Sequence, residues 1–190
     1  MGLTIDKCIE GWTNSLKQLR VKADIVFFGD SLTFYGDFAS VFPANVVCNL
    51  GLRGDTIQGM INRIEQVRLL HPDKVYIMGG INDVANSNIE DFRRQYKLLL
   101  ELLMDRLPDA LIIIQGLLSV NDLDYKVNCN NMQVSRCNEV IRLLCSEYSI
   151  EYIDLYNKYV ENGLLPQTMT ADGIHLYPHA YKTWYELLKA

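Results

Sequence analysis

Short apolar runs alternate with segments of helical periodicity along this chain of 190 residues, and this alternation constrains its fold more than any other feature. The apolar residues within each run are nearly continuous, which is typical of parallel strands covered on both faces. The predicted strands are Asp24–Phe28, Asn45–Leu50, Lys74–Gly79, Ala110–Gln115 and, more weakly, Glu151–Leu155.

The segments between these runs carry apolar residues at helical spacing. The predicted helices are Asp6–Arg20, Thr56–Leu69, Ile89–Leu107, Asn131–Tyr148 and Ala180–Leu188. In the third helix the inward positions are Phe92, Tyr96, Leu99 or Leu100, and Leu103. In the first helix, the apolar side carries Cys8 or Ile9, Trp12, Leu16 and Leu19.

The alternation of strands and helices predicts an α/β fold, a doubly wound parallel sheet with right-handed crossovers. Ligands of such sheets bind at the carboxyl ends of the strands, so we expect functional groups just after strands.

The length predicts one domain over residues 1–190, with residues 1–22 forming an N-terminal helix that packs on the sheet. A net charge of -5 and the lack of a basic stripe exclude a nucleic-acid partner.

No apolar run reaches the roughly 18 residues of a membrane span. The N-terminus lacks the apolar core of a signal peptide, which favours the cytoplasm, with a removed signal peptide as the alternative. Met1-Gly2 suggests N-myristoylation, but Asp6 stands where that motif needs Ser or Thr.

Cysteine usage also indicates a reducing compartment. The five cysteines are an odd number without C-x-x-C spacing, which favours buried free thiols over disulfides. They are Cys8, Cys48, Cys129, Cys137 and Cys145.

Polar residues follow the first three strands, and each has an ordinary structural interpretation. Ser31, in "GDS", could cap a helix. The stretch "NLGLRGDT" offers Gly51 and Gly54, which could serve a turn. Asn82, in "GGIND", could cap the next helix or form an Asx turn. One long polar connection, Leu117–Asn131, is either the rim of a site or a surface loop.

Near the C-terminus, "DGIHLYPH" places Asp172 three residues before His175. His175 and His179 resemble a metal pair, but Pro178 interrupts the helix that would align them, and no further Cys or His completes a ligand set. Phosphate-binding glycine motifs are also missing. We therefore expect no metal and no cofactor.

Taken together, these stretches supply each part of an acyl-transfer site: a nucleophile, a base, an acid that orients the base, and oxyanion donors. The stretches "FFGDSLT", "NLGLRGDT", "GGIND" and "DGIH" stand in the order of the SGNH (GDSL-type) esterase and lipase superfamily, which this chain resembles from Ile25 to His179. The resemblance implies a flavodoxin-like three-layer α/β/α sandwich with a five-stranded parallel sheet. It also implies a small-molecule ester as substrate and either a monomer or a homodimer.

The resemblance further implies a role for each residue. Ser31 matches the nucleophile and also an oxyanion donor through its N–H. Gly54 matches the second oxyanion donor, with Gly51 as the fallback, and Asn82 matches the third. His175 matches the general base, and Asp172 matches the acid that orients it.

A serine esterase that hydrolyses short-chain, most simply acetyl, esters of a carbohydrate or lipid is the resulting hypothesis. The resemblance is to the branch of platelet-activating-factor acetylhydrolases and small acetylesterases. Alternatives are a thioesterase or lysophospholipase with the same triad, and a non-catalytic domain that binds a glycan or a protein.

Residues beside the predicted site have structural interpretations. Asp30, Asp55 and Asp83 each adjoin a predicted site position, and we expect them to brace turns through backbone hydrogen bonds. Three aromatic residues could line the pocket or simply pack: Phe34, Tyr35 and Tyr177.

Overall fold

A computed structural model of the chain describes residues 5–19 and 21–189. Five parallel strands form one sheet in the order β2-β1-β3-β4-β5. They are β1 (Ile25–Gly29), β2 (Val47–Gly51), β3 (Lys74–Met78), β4 (Leu111–Gln115) and β5 (Glu151–Ile153). The predicted α/β fold, a flavodoxin-like sandwich with a five-stranded parallel sheet, is confirmed.

The helices lie between and after the strands. They are α1 (Ile5–Leu19), α2 (Ser31–Phe34), α3 (Ile57–Asn62), α4 (Ile64–Leu69), α5 (Ile81–Val84), α6 (Ile89–Arg106), α7 (Asn131–Tyr148), α8 (Tyr156–Tyr159) and α9 (Tyr181–Leu187). Three of them, α2, α5 and α8, have four residues each and were not predicted. A single helical turn is too short to produce a recognisable periodicity in the sequence.

The core lies on both faces of β1, where all five residues are buried. Side chains alternate between the faces of a strand. Phe27 stacks on Phe38 at a centroid distance of 3.9 Å, and Phe38 meets Trp184 of α9. On the other face the Phe28 ring lies 4.3 Å from the Arg63 guanidinium carbon. The predicted inward positions of α6 are all buried: Phe92, Tyr96, Leu99, Leu100 and Leu103.

The prediction of one continuous helix over Thr56–Leu69 is wrong. The segment forms α3 and α4, which are separated at Arg63, where φ is -120°. Arg63 is only 2% exposed, and its guanidinium donates to the backbone carbonyls of Leu50 and Gly29, near the carboxyl ends of β2 and β1. The backbone leaves the helical conformation at the residue whose side chain makes these inward contacts.

The chain order places the ends of β1, β2 and β3 at one edge. Gly29 is opposite both Gly51 and Met78 in the sheet register. From β1 the chain crosses first to β2 on one side and then to β3 on the other, which makes the β1 end a topological switch point. The loops after these three strands therefore converge there.

At the N-terminus, α1 contacts α4, and Leu16 packs against the core, whereas Trp12 is 63% exposed. The side chains of Cys8, Ile9 and Leu19 and the Met1-Gly2 dipeptide lie outside the described residues. Packing of residues 1–22 on the sheet stays a prediction.

Four cysteines are described, and all four are free thiols. Cys129, Cys137 and Cys145 are buried, and Cys48 is half-buried. Among the described residues, no helix is both long and apolar enough to cross a membrane.

Candidate active site

Ser31 is the first residue of α2, directly after the turn that follows β1. Asp30, not Ser31, is the helix cap: its Oδ1 accepts a 3.0 Å hydrogen bond from the Leu32 N–H. The interpretation of Ser31 as the cap is therefore wrong, and its hydroxyl is free for another partner. Gly29 is required before this turn, because a Cβ there would lie 1.9 Å from the Met78 carbonyl oxygen.

That partner is His175, which reaches Ser31 from the C-terminal loop. The His175 Nε2 lies 2.9 Å from the Ser31 Oγ, and the His175 Nδ1 lies 2.6 Å from the Asp172 Oδ2. Since Nδ1 donates to the carboxylate, Nε2 is the nitrogen that can accept the serine proton. The structure thus joins Ser31, His175 and Asp172 in one chain of hydrogen bonds.

The second oxygen of Asp172 shapes the loop that carries it. Oδ1 accepts the N–H groups of Ile174 and His175, at 3.1 and 2.8 Å. Partial burial alone would raise the pKa of Asp172, but the hydrogen bonds from the His175 ring and from these two N–H groups outweigh it and lower the pKa. Asp172 is consequently favoured as the carboxylate beside His175.

The same loop is braced by the long connection Leu117–Asn131. The Asn121 N–H donates to the Gly173 carbonyl at 2.8 Å. Gly173 has φ of +90°, and a Cβ there would lie 2.7 Å from the Asn121 carbonyl oxygen. The long connection therefore supports the His175 loop, and glycine is needed between the acid and the base for conformation and for space.

The Asn82 side chain hydrogen-bonds the loop after β2 that contains Gly54. The Asn82 Nδ2 donates to the carbonyl of Asp55, the residue after Gly54, at 2.7 Å, which leaves its second amide hydrogen for another acceptor. Gly54 has φ of +73°, and a Cβ there would meet nothing within 4 Å. Its N–H finds no acceptor among residues 5–19 and 21–189.

Gly51 has a different environment. It ends β2, and a Cβ there would lie 2.2 Å from the Phe34 backbone nitrogen. Close packing of β2 against α2 accounts for this glycine. The open position of Gly54 favours it over Gly51 as an oxyanion donor.

Arg63 connects the loop of Gly54 to the turn of Ser31, a role that was not predicted from the sequence. Its guanidinium contacts Asp55 Oδ2 at 2.6 Å and donates to the carbonyls of Leu50 and Gly29 at 2.7 and 2.8 Å. The spacing of Arg63 in the sequence could have indicated this buried role. It stands three residues after Met60 and four before Val67, on the inward side of the predicted helix.

The three acids beside the site each accept a backbone N–H. Asp30 accepts from Leu32, Asp55 from Thr56, and Asp83 from Ile57 at the start of α3. Burial raises the pKa of Asp30 to about 7 and that of Asp83 to about 6. Burial also raises the pKa of Asp55, with Arg63 acting in the opposite direction.

The raised pKa of Asp30 predicts that the stability of the protein depends on pH. Its second oxygen, Oδ2, is buried and has no hydrogen-bond partner among the described residues. Because the folded-state pKa lies above the ordinary value of 3.8, the folded chain holds a proton that the unfolded chain releases, and stability falls as pH rises from about 4 to about 7.

In Asp30→Asn the amide oxygen can still cap α2, but the titration is gone. We compare the free energy of unfolding of this variant with that of the wild type. The variant's stability relative to the wild type should be about 2 to 3 kcal/mol greater at pH 8 than at pH 5. Urea denaturation at the two pH values measures this difference. An equal difference at both would show that Asp30 does not titrate in this range.

Of the three aromatic residues that could line the pocket, Tyr35 is the one in contact with a residue of the triad. Phe34, Tyr35 and Tyr177 are 48, 47 and 38% exposed. The Tyr35 ring packs edge-on against the His175 imidazole, with centroids 5.7 Å apart. Arg53 is exposed and also lies beside Tyr35, with its guanidinium carbon 5.8 Å from the Tyr35 centroid.

His179 does not approach the triad's hydrogen bonds. Its Nε2 hydrogen-bonds the Thr168 carbonyl at 2.9 Å, and its ring stacks on Tyr177. Within the described part of the chain, no three His, Cys, Asp or Glu side chains form a group that could hold a metal ion.

A serine, a histidine and an aspartate joined at the carboxyl end of a parallel sheet are typical of hydrolases that use a serine. The chain belongs to the GDSL-like Lipase/Acylhydrolase family, which residues 27–183 match. It is a hydrolase of ester substrates, and the predicted resemblance to GDSL-type hydrolases is confirmed.

Solved structures agree with the fold. A Streptococcus pneumonia protein named after platelet activating factor has a TM-score of 0.84 at 21% identity, covering 95% of this chain and 90% of that one. A GDSL-like lipase from Bacteroides thetaiotaomicron has a TM-score of 0.78 at 21% identity, with 95% of each chain covered. An acetyl xylan esterase has a TM-score of 0.73 at 18% identity, covering 87% of this chain and 97% of that one. Among curated proteins, none matches this chain.

Proposed function

We propose that the protein hydrolyses short-chain esters, with acetyl as the preferred acyl group, through an acyl-Ser31 intermediate. The observation that carries this proposal is the continuous Ser31–His175–Asp172 hydrogen-bond chain. The alcohol part of the ester is a carbohydrate or a lipid, as the named acetyl xylan esterase and lipase neighbours suggest.

In the proposed mechanism the His175 Nε2 takes the Ser31 hydroxyl proton while the Ser31 Oγ attacks the ester carbonyl. The N–H groups of Ser31 and Gly54 and the free amide hydrogen of Asn82 donate to the resulting oxyanion. The tetrahedral intermediate then expels the alcohol, which takes the proton from His175. A water that gives its proton to His175 then attacks the acyl-serine and forms a second tetrahedral intermediate. This intermediate collapses, the Ser31 Oγ takes the proton back from His175, and the acid is released.

The openness of the site supports a small acyl group. The side chains of His175 and Asp172 are 35 and 53% exposed, although Ser31 is buried. A site this close to solvent offers little enclosed surface to a long acyl chain. Acetyl, butyryl and octanoyl esters of p-nitrophenol should therefore be cleaved with kcat/KM falling as the chain lengthens.

The same series, with acetyl-CoA added, tests the alternatives. Preference for the octanoyl ester would support a lysophospholipase, and faster cleavage of acetyl-CoA than of any ester would support a thioesterase. Turnover of none of these substrates would favour the non-catalytic binding domain.

Asn82→Ala should lower kcat for p-nitrophenyl acetate roughly 10²- to 10³-fold, because one donor to the oxyanion is removed. Asn45→Ala is the matched control, since Asn45 is exposed before β2 at the opposite edge of the sheet, and it should retain wild-type kcat. Thermal unfolding of both variants checks that the fold persists. A kcat for Asn82→Ala within threefold of the wild type would remove Asn82 from the oxyanion hole.

A further inference from the structure

We infer that the ester substrate carries an anionic group, a carboxylate or a phosphate, and that Arg53 binds it. The inference rests on the proposed esterase function and specifies its substrate class. The observations are the position of Arg53, its free donors and its contact with the Tyr35 ring, which in turn contacts His175.

Arg53 directly precedes Gly54, the proposed oxyanion donor, in the loop after β2. Its guanidinium lies over the Tyr35 ring at 5.8 Å, and that ring meets the His175 imidazole at 5.7 Å. One aromatic ring therefore separates the cation from the catalytic base. A group bound to Arg53 can belong to the molecule whose ester bond is being cleaved.

The donors of Arg53 are not used by the described part of the protein. No carboxylate lies within ion-pair distance of it, and no oxygen accepts from its guanidinium, among residues 5–19 and 21–189. Arg63, ten positions further on, contrasts with it, because its guanidinium nitrogens donate to Asp55, Leu50 and Gly29. Arg63 holds the fold together, whereas Arg53 has five N–H donors facing solvent at the rim of the site.

The local chemistry favours an anion as the partner. A guanidinium presents paired N–H groups that match a carboxylate or a phosphate, and contact with the Tyr35 face restricts its motion before binding. The whole chain has a net charge of -5, so this cation is not part of a generally basic surface. An unpaired arginine held over an aromatic ring beside the triad is suited to select acidic substrates.

Three acetyl esters test this inference: 4-acetoxybenzoate, 4-acetoxyphenyl phosphate and the neutral methyl 4-acetoxybenzoate. The measured quantity is the ratio of kcat/KM for an anionic ester to kcat/KM for the neutral one. Dividing the wild-type ratio by that of a variant cancels differences between the leaving groups. The anion whose ratio changes more identifies carboxylate or phosphate as the better ligand.

Arg53→Gln should lower this ratio about ten- to hundredfold, mainly through KM, which is the range expected for a hydrogen bond to a charged group. Arg53→Lys should give an intermediate ratio, because it keeps the charge but loses the paired donors. Arg106→Gln is the matched control. Arg106 ends α6 and lines a groove with Lys22 and Asp73 at the amino ends of the strands, so its loss changes net charge equally without touching the site.

The inference is overturned if the ratio in Arg53→Gln stays within twofold of the wild type, or if Arg106→Gln lowers it as much. In either case hydrolysis of the neutral ester by the wild type would leave the proposed function standing. If the wild type cleaves none of the three esters, the proposed function itself fails, and this inference with it.

Discussion

Ser31→Ala should fold like the wild type and lose essentially all esterase activity. Breaking a Ser–His unit of this kind lowers kcat by roughly 10⁴- to 10⁶-fold. The fold should persist because Asp30, not Ser31, caps α2, and the only side-chain hydrogen bond described for Ser31 is the one with His175. Initial rates on p-nitrophenyl acetate, with circular dichroism of the same preparation, measure both parts of the prediction.

Ser135→Ala is the matched control for this variant, since Ser135 is exposed on α7. A fluorophosphonate probe should label the wild type and Ser135→Ala on Ser31, as located by peptide mass spectrometry, and should not label Ser31→Ala. Wild-type turnover by Ser31→Ala, or labelling at another residue, would refute the proposed mechanism.

Arg63→Met should destabilise the protein by about 3 to 5 kcal/mol. Arg63 and Asp55 form an ion pair whose side chains are 2 and 4% exposed, and losing one partner leaves a buried carboxylate uncompensated. The carbonyls of Leu50 and Gly29 lose donors in the same variant. Because these contacts join the loop of Gly54 to the turn of Ser31, kcat should fall as well. Urea denaturation and esterase rates measure the two effects.

Arg68→Met provides the comparison for the same chemical change at the surface. Arg68 pairs with Glu65 in solvent, with side chains 41 and 34% exposed, and its loss should cost less than about 1 kcal/mol. Asp55→Asn and the double variant with Arg63→Met complete a double-mutant cycle, in which the double should cost less than the sum of the singles. An Arg63→Met cost no larger than that of Arg68→Met would mean that the buried pair does not stabilise this edge.

Much of the fold could be predicted because its signals are local. The run from Ile25 to Phe28 is continuously apolar, as a strand covered on both faces must be. In α6, residues such as Phe92 and Tyr96 recur at helical spacing, and the predicted and observed ends of that helix differ by one residue. Helices of a single turn such as α2 and α5 escaped prediction, since four residues contain no complete period.

The two differences between prediction and structure in this region have separate physical causes. Arg63 interrupts the predicted helix because it donates to Gly29, 34 positions earlier in the chain. Asp30 takes the cap position that was one interpretation of Ser31, and only the turn geometry after β1 decides between these two adjacent polar residues.

The sequence by itself determined the alternating strands and helices, the five candidate site residues and the family to which the stretches containing them belong. Tertiary structure alone decided that His175 lies 2.9 Å from Ser31 across 144 positions, that Gly54 rather than Gly51 stands open, and that Arg53 faces solvent beside Tyr35. The physical reason is that apolar periodicity is a property of neighbouring residues. Hydrogen bonds and ring contacts between separate loops exist only after the sheet has brought its carboxyl ends together.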